Sequence, residues 1–211
     1  INVHYLGIEQ TNYPVSRKEM PKFRDPLDES IYQACLWTLT LCMHEHYEDC
    51  PWSEQALYAM DGRTQALCGF YAFDDDGFVR ESIRLLGNSL NPSDGFLELC
   101  APAKARVTIP TFSLIWIVFA WEYLQKTGDK EAGYAFFSIA CTMLERYRSY
   151  CSEGLLRVPQ DPRYWNFYDW EEGLDGELDQ ESTRKPGQVD ALLNLYTVMA
   201  YQSGEKMALY F

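Results

Sequence analysis

The sequence predicts a mainly α fold of αα-hairpins stacked in a ring or solenoid, with a short N-terminal β segment, and three observations carry that reading. From Asp28 onward, apolar residues recur at intervals of three and four. A stretch at about 111–126 that is apolar nearly all round is followed, across the short turn Thr127-Gly128-Asp129, by an amphipathic one at about 129–150. A buried helix joined to an outer one makes a hairpin whose neighbours must be further hairpins. Finally, Asp94-Gly95-Phe96-Leu97-Glu98-Leu99 ahead of Pro102 is echoed 59 residues later by Glu153-Gly154-Leu155-Leu156-Arg157-Val158 ahead of Pro159. Each copy reads as a glycine turn and a short extended segment linking an outer helix to the next inner one.

Residues 1–20 differ from the remainder of the chain. Val3-His4-Tyr5-Leu6-Gly7-Ile8 alternates and ends in Asn12, Pro14 and Ser16, the pattern of a strand and turn, so this segment is expected to be a sheet edge or the tail of a preceding β-rich domain. Residues 21–211 form the helical domain. Its first helix begins at Asp28, with Ile31, Cys35, Leu36, Leu39, Cys42 and Met43 in register. A second is expected at about 53–70. A third, at about 78–90, is N-capped by the Asp74-Asp75-Asp76-Gly77 loop and closed by Asn91-Pro92-Ser93-Asp94-Gly95. The helix entered through Pro110 should be buried on all sides. The next carries a single stripe, Phe136, Ile139, Ala140, Met143, Leu144 and Tyr147, and should lie outside. A last helix, about 187–203, comes after a Gly-, Asp- and Glu-rich loop at 171–187.

The 211 residues are 47% apolar, enough for a substantial core, and carry a formal charge of -13. That charge argues against nucleic acid and against anionic membrane, both of which call for basic patches, and leaves neutral or cationic partners. The longest apolar run, Leu114 to Trp121, is far short of the roughly twenty residues that span a bilayer. Seven cysteines, an odd number placed mainly in helical patterns as Cys35, Cys42, Cys68, Cys141 and Cys151, read as buried thiols rather than a disulfide framework, which leans toward a reducing compartment such as cytoplasm, with periplasm as the alternative. Fifteen Tyr and six Trp exceed what a core alone requires, and a surplus of this kind lines carbohydrate or peptide surfaces.

The chemistry concentrates in Asp49 to Arg63. Pro51, two residues after Asp49, sets the backbone for a helix start, which would put Glu54 in the first turn and Glu54 and Asp61 on one face. An acidic pair held on a rigid face serves general acid catalysis and sugar-hydroxyl recognition; a solvated helix face has the same composition. His44 and His46, two apart, point to different faces of a helix, so no metal site is expected there, and no cofactor is expected. Gly-rich phosphate loops, Cys-x-x-Cys pairs and Ser-centred nucleophile elbows do not occur.

Asp49-Cys50-Pro51 followed by Glu54-Gln55 and Asp61 resembles the signature of the bacterial α-L-rhamnosidases, inverting glycoside hydrolases with an (α/α)6 six-hairpin toroid. The resemblance continues through Asp94-Gly95, Pro102, Thr127-Gly128-Asp129, Glu153-Gly154-Leu155 and Trp165-Asn166-Phe167-Tyr168-Asp169-Trp170. It implies Glu54 as general acid, with Asp49 and Asp61 holding sugar hydroxyls. Arg63, Trp165, Asp169 and Trp170 are expected to complete a rhamnoside pocket whose aromatic faces cover the methyl group of a deoxy sugar. Crowding among Asp49, Glu54 and Asp61 should raise one pKa, as a proton donor working near neutral pH requires. Position 53 is Ser where many relatives carry Arg. About six helices make three hairpins where a closed toroid has six, and the family's Gly-Ala-Thr-Thr-like stretch ending in Trp-Glu, which supplies the catalytic base, does not occur before Phe211. The expectation is therefore a partial catalytic domain, holding the acid half of the site and working with the rest of a larger polypeptide. The alternative is a helical-hairpin domain that binds carbohydrate or protein without catalysis.

Overall fold

The computed structural model describes residues 2–105, 107–159, 161, 163–176 and 188–211. Within them the chain forms α1 (Pro26–Leu41), α2 (Ala59–Ala72), α3 (Gly77–Asn88), α4 (Pro110–Thr127), α5 (Lys130–Ser149), the two-residue strands β1 (Cys151–Ser152) and β2 (Leu155–Leu156), and α6 (Ala191–Tyr210). Proline at N1 starts α4, where its missing N–H costs nothing, and every residue from Pro110 to Ala120 is buried. Its few polar atoms are matched. The Trp116 indole donates to Ile83 O at 2.9 Å, the Ser113 hydroxyl accepts from Leu97 N at 3.0 Å, and the Tyr147 hydroxyl donates to Pro110 O. Removing side chains of this size from water stabilises the fold by about 1.5–3 kcal/mol each.

This burial sets the architecture. α4 packs against α2 and α6 on either side, while α3 and α5 lie against α4 and against each other, and α1 rests on α2. The expected buried helix and its outer partner are thus α4 and α5. α5 buries Phe136, Ala140, Met143 and Tyr147 from the predicted stripe. The turn between them ends α4 in Gly128, whose φ of 69° needs no Cβ, and Asp129 then caps α5 by accepting from Ala132 N at 3.1 Å. The Asp74–Gly77 loop caps α3, with Asp75 as the residue that does so: its Oδ1 accepts from Gly77 N at 2.8 Å and Phe78 N at 3.3 Å.

Several expectations are corrected. Val3 to Ile8 form no strand; Val3, Tyr5, Leu6 and Ile8 are all largely exposed, no second strand among the described residues pairs with them, and the segment's nearest sheet-like feature is the isolated bridge Arg17–Phe73. The small sheet lies instead in the β1–β2 hairpin at Glu153-Gly154. α1 ends at Leu41, so His44 and His46 are not helical, and α6 runs seven residues beyond 203 to Tyr210. α2 starts at Ala59 rather than 53, for reasons that belong to the site. Of the seven cysteines, all free, only Cys42 is buried, and Cys35, Cys68 and Cys151 are exposed. Cys35 and Cys68 stand on the solvent faces of α1 and α2, and Cys151 opens the β1–β2 hairpin. The part of the 171–187 loop from 177 onward lies outside the described residues. Among the described residues no helix is long and apolar enough to cross a membrane.

Along α6, Leu195, Val198 and Leu209 are 62%, 52% and 81% exposed and fall on one face. Gln202, Glu205 and Lys206 separate Leu209 from the other two, so the patch that associates in water is Leu195 and Val198 with half-exposed Met199. Residues 1–211 on their own should therefore form dimers or larger species by light scattering, and Leu195→Lys with Val198→Lys should shift them toward monomer. A monodisperse monomer before substitution would contradict this.

Candidate active site

The segment between Asp49 and Tyr58 folds back on itself instead of entering a helix. Asp49 N donates to Ala56 O at 2.9 Å, and Ala56 N donates back to the Asp49 carboxylate at 2.8 Å. Gln55 sits in the left-handed region at φ 53°, and Ala101 N donates to the Leu57 carbonyl at 3.1 Å. With these backbone groups paired outward, an i to i−4 ladder cannot form across 53–57. Pro51 accordingly shapes a loop, Glu54 stands on that loop, and Asp61 alone lies in the first turn of α2. Glu54 and Asp61 do not share a helical face as expected, yet the loop brings them together.

Both line one open cavity of about 530 Å³. Asp49, Glu54 and Asp61 form its acidic side, and Asp169 adds a fourth carboxylate. Trp165, Phe167 and Trp170 form an aromatic wall, their rings 4.8 Å (Trp165–Phe167), 4.8 Å (Phe167–Trp170) and 5.7 Å (Trp165–Trp170) apart. Phe112, in the first turn of α4, meets both sides through Tyr58 at 6.1 Å and Phe167 at 6.4 Å. Tyr196 of α6 stacks on Tyr168 at 6.5 Å. The cavity therefore gathers the N-terminal portions of α2, α4 and α6, the three helices of one row.

The wall is carried by residues 163–176. Trp165 N donates to Thr108 O at 2.9 Å, Thr108 N donates to Arg163 O at 2.7 Å, and the Trp165 indole donates to Asp175 O at 2.6 Å. Trp170 is 75% exposed, so one face of the wall is open to a ligand.

Of the residues expected in a pocket, Asp49, Glu54, Asp61, Trp165, Asp169 and Trp170 converge. Arg63 does not: its guanidinium forms two hydrogen bonds to Glu122, at 2.8 and 2.6 Å, tying α2 to α4 away from the cavity. Position 63 comes two after Asp61, which turns it to another side of the helix. Sequence reasoning passed over Tyr58, Tyr168 and Tyr196. The signal for Tyr58 was its spacing of four from Glu54, whose Oε2 accepts from the Tyr58 hydroxyl at 2.7 Å. Nothing in the sequence marks Tyr196, which reads as one more helical aromatic.

One carboxyl pKa of the cluster is raised, and the residue is Asp61. Burial is the largest cause; its own backbone N–H works the other way, and the charges of Asp49 and Glu54 add to the rise. The Tyr58 phenol is also pushed up, by burial, by its bond to Glu54 and by the nearby charges of Glu54, Cys100 and Asp49, so it stays a donor at any physiological pH. Among the described residues no group of three or more His, Cys, Asp or Glu could hold a metal ion. His44 is engaged with Glu48 at 2.8 Å and His46 with Tyr47 O at 2.8 Å.

Comparison with known proteins puts this geometry in context. The chain superimposes on a family GH78 rhamnosidase of Bacillus sp. GL1 with a TM-score of 0.79 at 23% identity, covering 94% of this chain and 20% of that one. It superimposes on a rhamnosidase from Klebsiella oxytoca, solved with rhamnose bound, with a TM-score of 0.63 at 21% identity, covering 89% of this chain and 39% of that one. These likenesses show the fold, and the chain spans a fifth to about two fifths of the length of those proteins. No curated protein sequence matches it. The model of the bacterial α-L-rhamnosidase six-hairpin glycosidase domain matches residues 22–211, and the chain belongs to that family.

Proposed function

We propose that this chain carries the general-acid side of the active site of an inverting glycoside hydrolase that releases terminal α-L-rhamnose from rhamnosides. The observation that carries the reading is one cavity with Asp49, Glu54 and Asp61 on one side and Trp165 and Trp170 on the other. A deoxy sugar asks for both: carboxylates accept its hydroxyls, and ring faces cover its methyl group and C–H surface.

Glu54 is the proton donor to the glycosidic oxygen. It is the exposed carboxyl of the three, on the loop at the open side of the cavity, and the Tyr58 hydroxyl fixes one of its oxygens, leaving the other for the leaving group. Asp61, half-buried at the head of α2, and Asp49, pinned by Ala56 N, bind sugar hydroxyls. Inversion needs a second carboxylate roughly 6.5–9.5 Å from the acid to activate water across the ring. We assign that base to no residue of this chain. The aglycone leaves past Trp170, which stands at the exposed end of the wall.

In the full-length protein, Glu54→Gln should lower kcat for an aryl α-L-rhamnoside by at least about 100-fold, the usual worth of a general acid; undiminished turnover would remove Glu54 from the role. Tyr58→Phe keeps the ring against Phe112 and loses only the bond to Glu54, so a smaller fall in kcat, about tenfold, with KM little changed is expected. Asp61 also affects stability. Because its folded pKa lies above the unfolded value of 3.8, the folded state holds the extra proton, and stability falls as pH rises from 3.8 through the raised pKa. Asp61→Asn removes that penalty. It should raise the melting temperature at pH 7 and give no gain below pH 3.8, as followed by circular dichroism.

A further inference from the structure

We propose that Arg163 is a positioning residue for the sugar pocket, clamping the aromatic wall to the Asp94–Glu98 turn so that Trp165 and Trp170 face the acidic side. The proposal rests on the rhamnoside reading and concerns a residue outside the cavity lining.

The turn comes first. Asp94 is buried, and its Oδ1 accepts from Phe96 N at 3.0 Å, the local bond that lets Gly95 reverse the chain at φ 75°. Its other oxygen receives Arg163 Nη1 at 2.6 Å. The second arm of the same guanidinium points to Glu98 Oε1 at 3.8 Å. The Glu98 side chain is nine-tenths covered, and its Oε2 has no hydrogen-bond partner among the described residues. Among the described residues, Arg163 is the cation that pairs with both of these covered carboxylates.

Burying two carboxylates is costly without a cation, so this pair holds Arg163 in place far more tightly than a surface contact would. The backbone on both sides of Arg163 is tied as well. Its own N donates to Asp161 Oδ1 at 2.8 Å, and its carbonyl accepts from Thr108 N at 2.7 Å. Thr108 in turn donates its hydroxyl to Leu97 O and its carbonyl receives Trp165 N, one residue before Ile109 enters the cavity wall. Phe96 fills the space between, against Tyr164 at 5.0 Å. From the guanidinium to the sugar-facing ring of Trp165 is two residues of chain. The remaining side-chain anchor of that ring, the indole bond to Asp175 O, lies further along the same segment and cannot fix its position relative to α2 and Glu54.

The test compares the wild-type full-length protein with Arg163→Met, Arg163→Lys and Asp94→Asn. Two readouts are taken: KM and kcat on an aryl α-L-rhamnoside, and amide hydrogen exchange over residues 164–170. Arg163→Met should raise KM about five- to tenfold with kcat changed less than about twofold, since the wall binds sugar without taking part in proton transfer. Exchange over 164–170 should rise by a similar factor. Arg163→Lys keeps the charge and loses the fork, so it should recover part of both effects. Asp94→Asn keeps the acceptor for Phe96 N and removes one charge; it carries the comparison if Arg163→Met does not fold. Unchanged KM in Arg163→Met and Asp94→Asn overturns the proposal, as does a fall in kcat alone. If the wild-type protein neither hydrolyses rhamnosides nor binds L-rhamnose, the functional reading fails, and exchange alone then decides the clamp: unchanged protection over 164–170 refutes it.

Discussion

The fold depends on the first eleven residues of α4 having no solvent face of their own. Eleven consecutive residues from Pro110 are buried, so the helix exists only inside a ring of neighbours, and α2, α3, α5 and α6 are those neighbours. The aliphatic and aromatic bulk of Leu114, Trp116, Ile117 and Phe119 supplies the driving force. The same constraint builds the site. A helix enclosed along its flanks is accessible only at its ends, and Ile109 and Phe112 at its first turn become the floor on which the acidic loop and the aromatic wall meet.

The acidic loop is a second solution to a physical problem. Three carboxylates close together repel, and folding them onto one face requires fixed partners. Asp49 is held by the Ala56 N–H and Glu54 by the Tyr58 hydroxyl. Asp61 is left with burial and the charges of the other two, and responds with a raised pKa. Glu54 thus stands on a loop, while Asp61 is set in the first turn of α2.

How much of this was legible in the sequence depends on what each signal encodes. The α4–α5 hairpin was legible because apolar periodicity reports burial directly, and α4 departs from amphipathicity altogether. The positions of Asp49, Glu54 and Asp61 near one another were legible from a motif, but the helix drawn through 53–58 was not the one formed. Helix propensity and Pro51 both favour it locally, and pairing of Asp49 with Ala56 and of Leu57 with Ala101 overrides them. That last pairing joins residues 44 apart in the chain, beyond the reach of local patterns. Arg63 failed as a pocket residue for a related reason, since its partner Glu122 is on a different helix. The N-terminal alternation at Val3–Ile8 read as a strand because alternation is necessary for an edge, but a strand also needs a partner. Tyr196 and Arg163 are brought to the site only by contacts made across long separations.

The central claim is that the acidic loop and the aromatic wall enclose one sugar between them. A crystal structure of the full-length protein with L-rhamnose tests it most directly. The expected result is a single sugar with its hydroxyls on Asp49 and Asp61, its methyl group toward Trp165 or Trp170, and its anomeric oxygen within hydrogen-bond reach of Glu54, about 2.6–3.2 Å. Rhamnose bound elsewhere, or a cavity without sugar at saturating concentration, would contradict it.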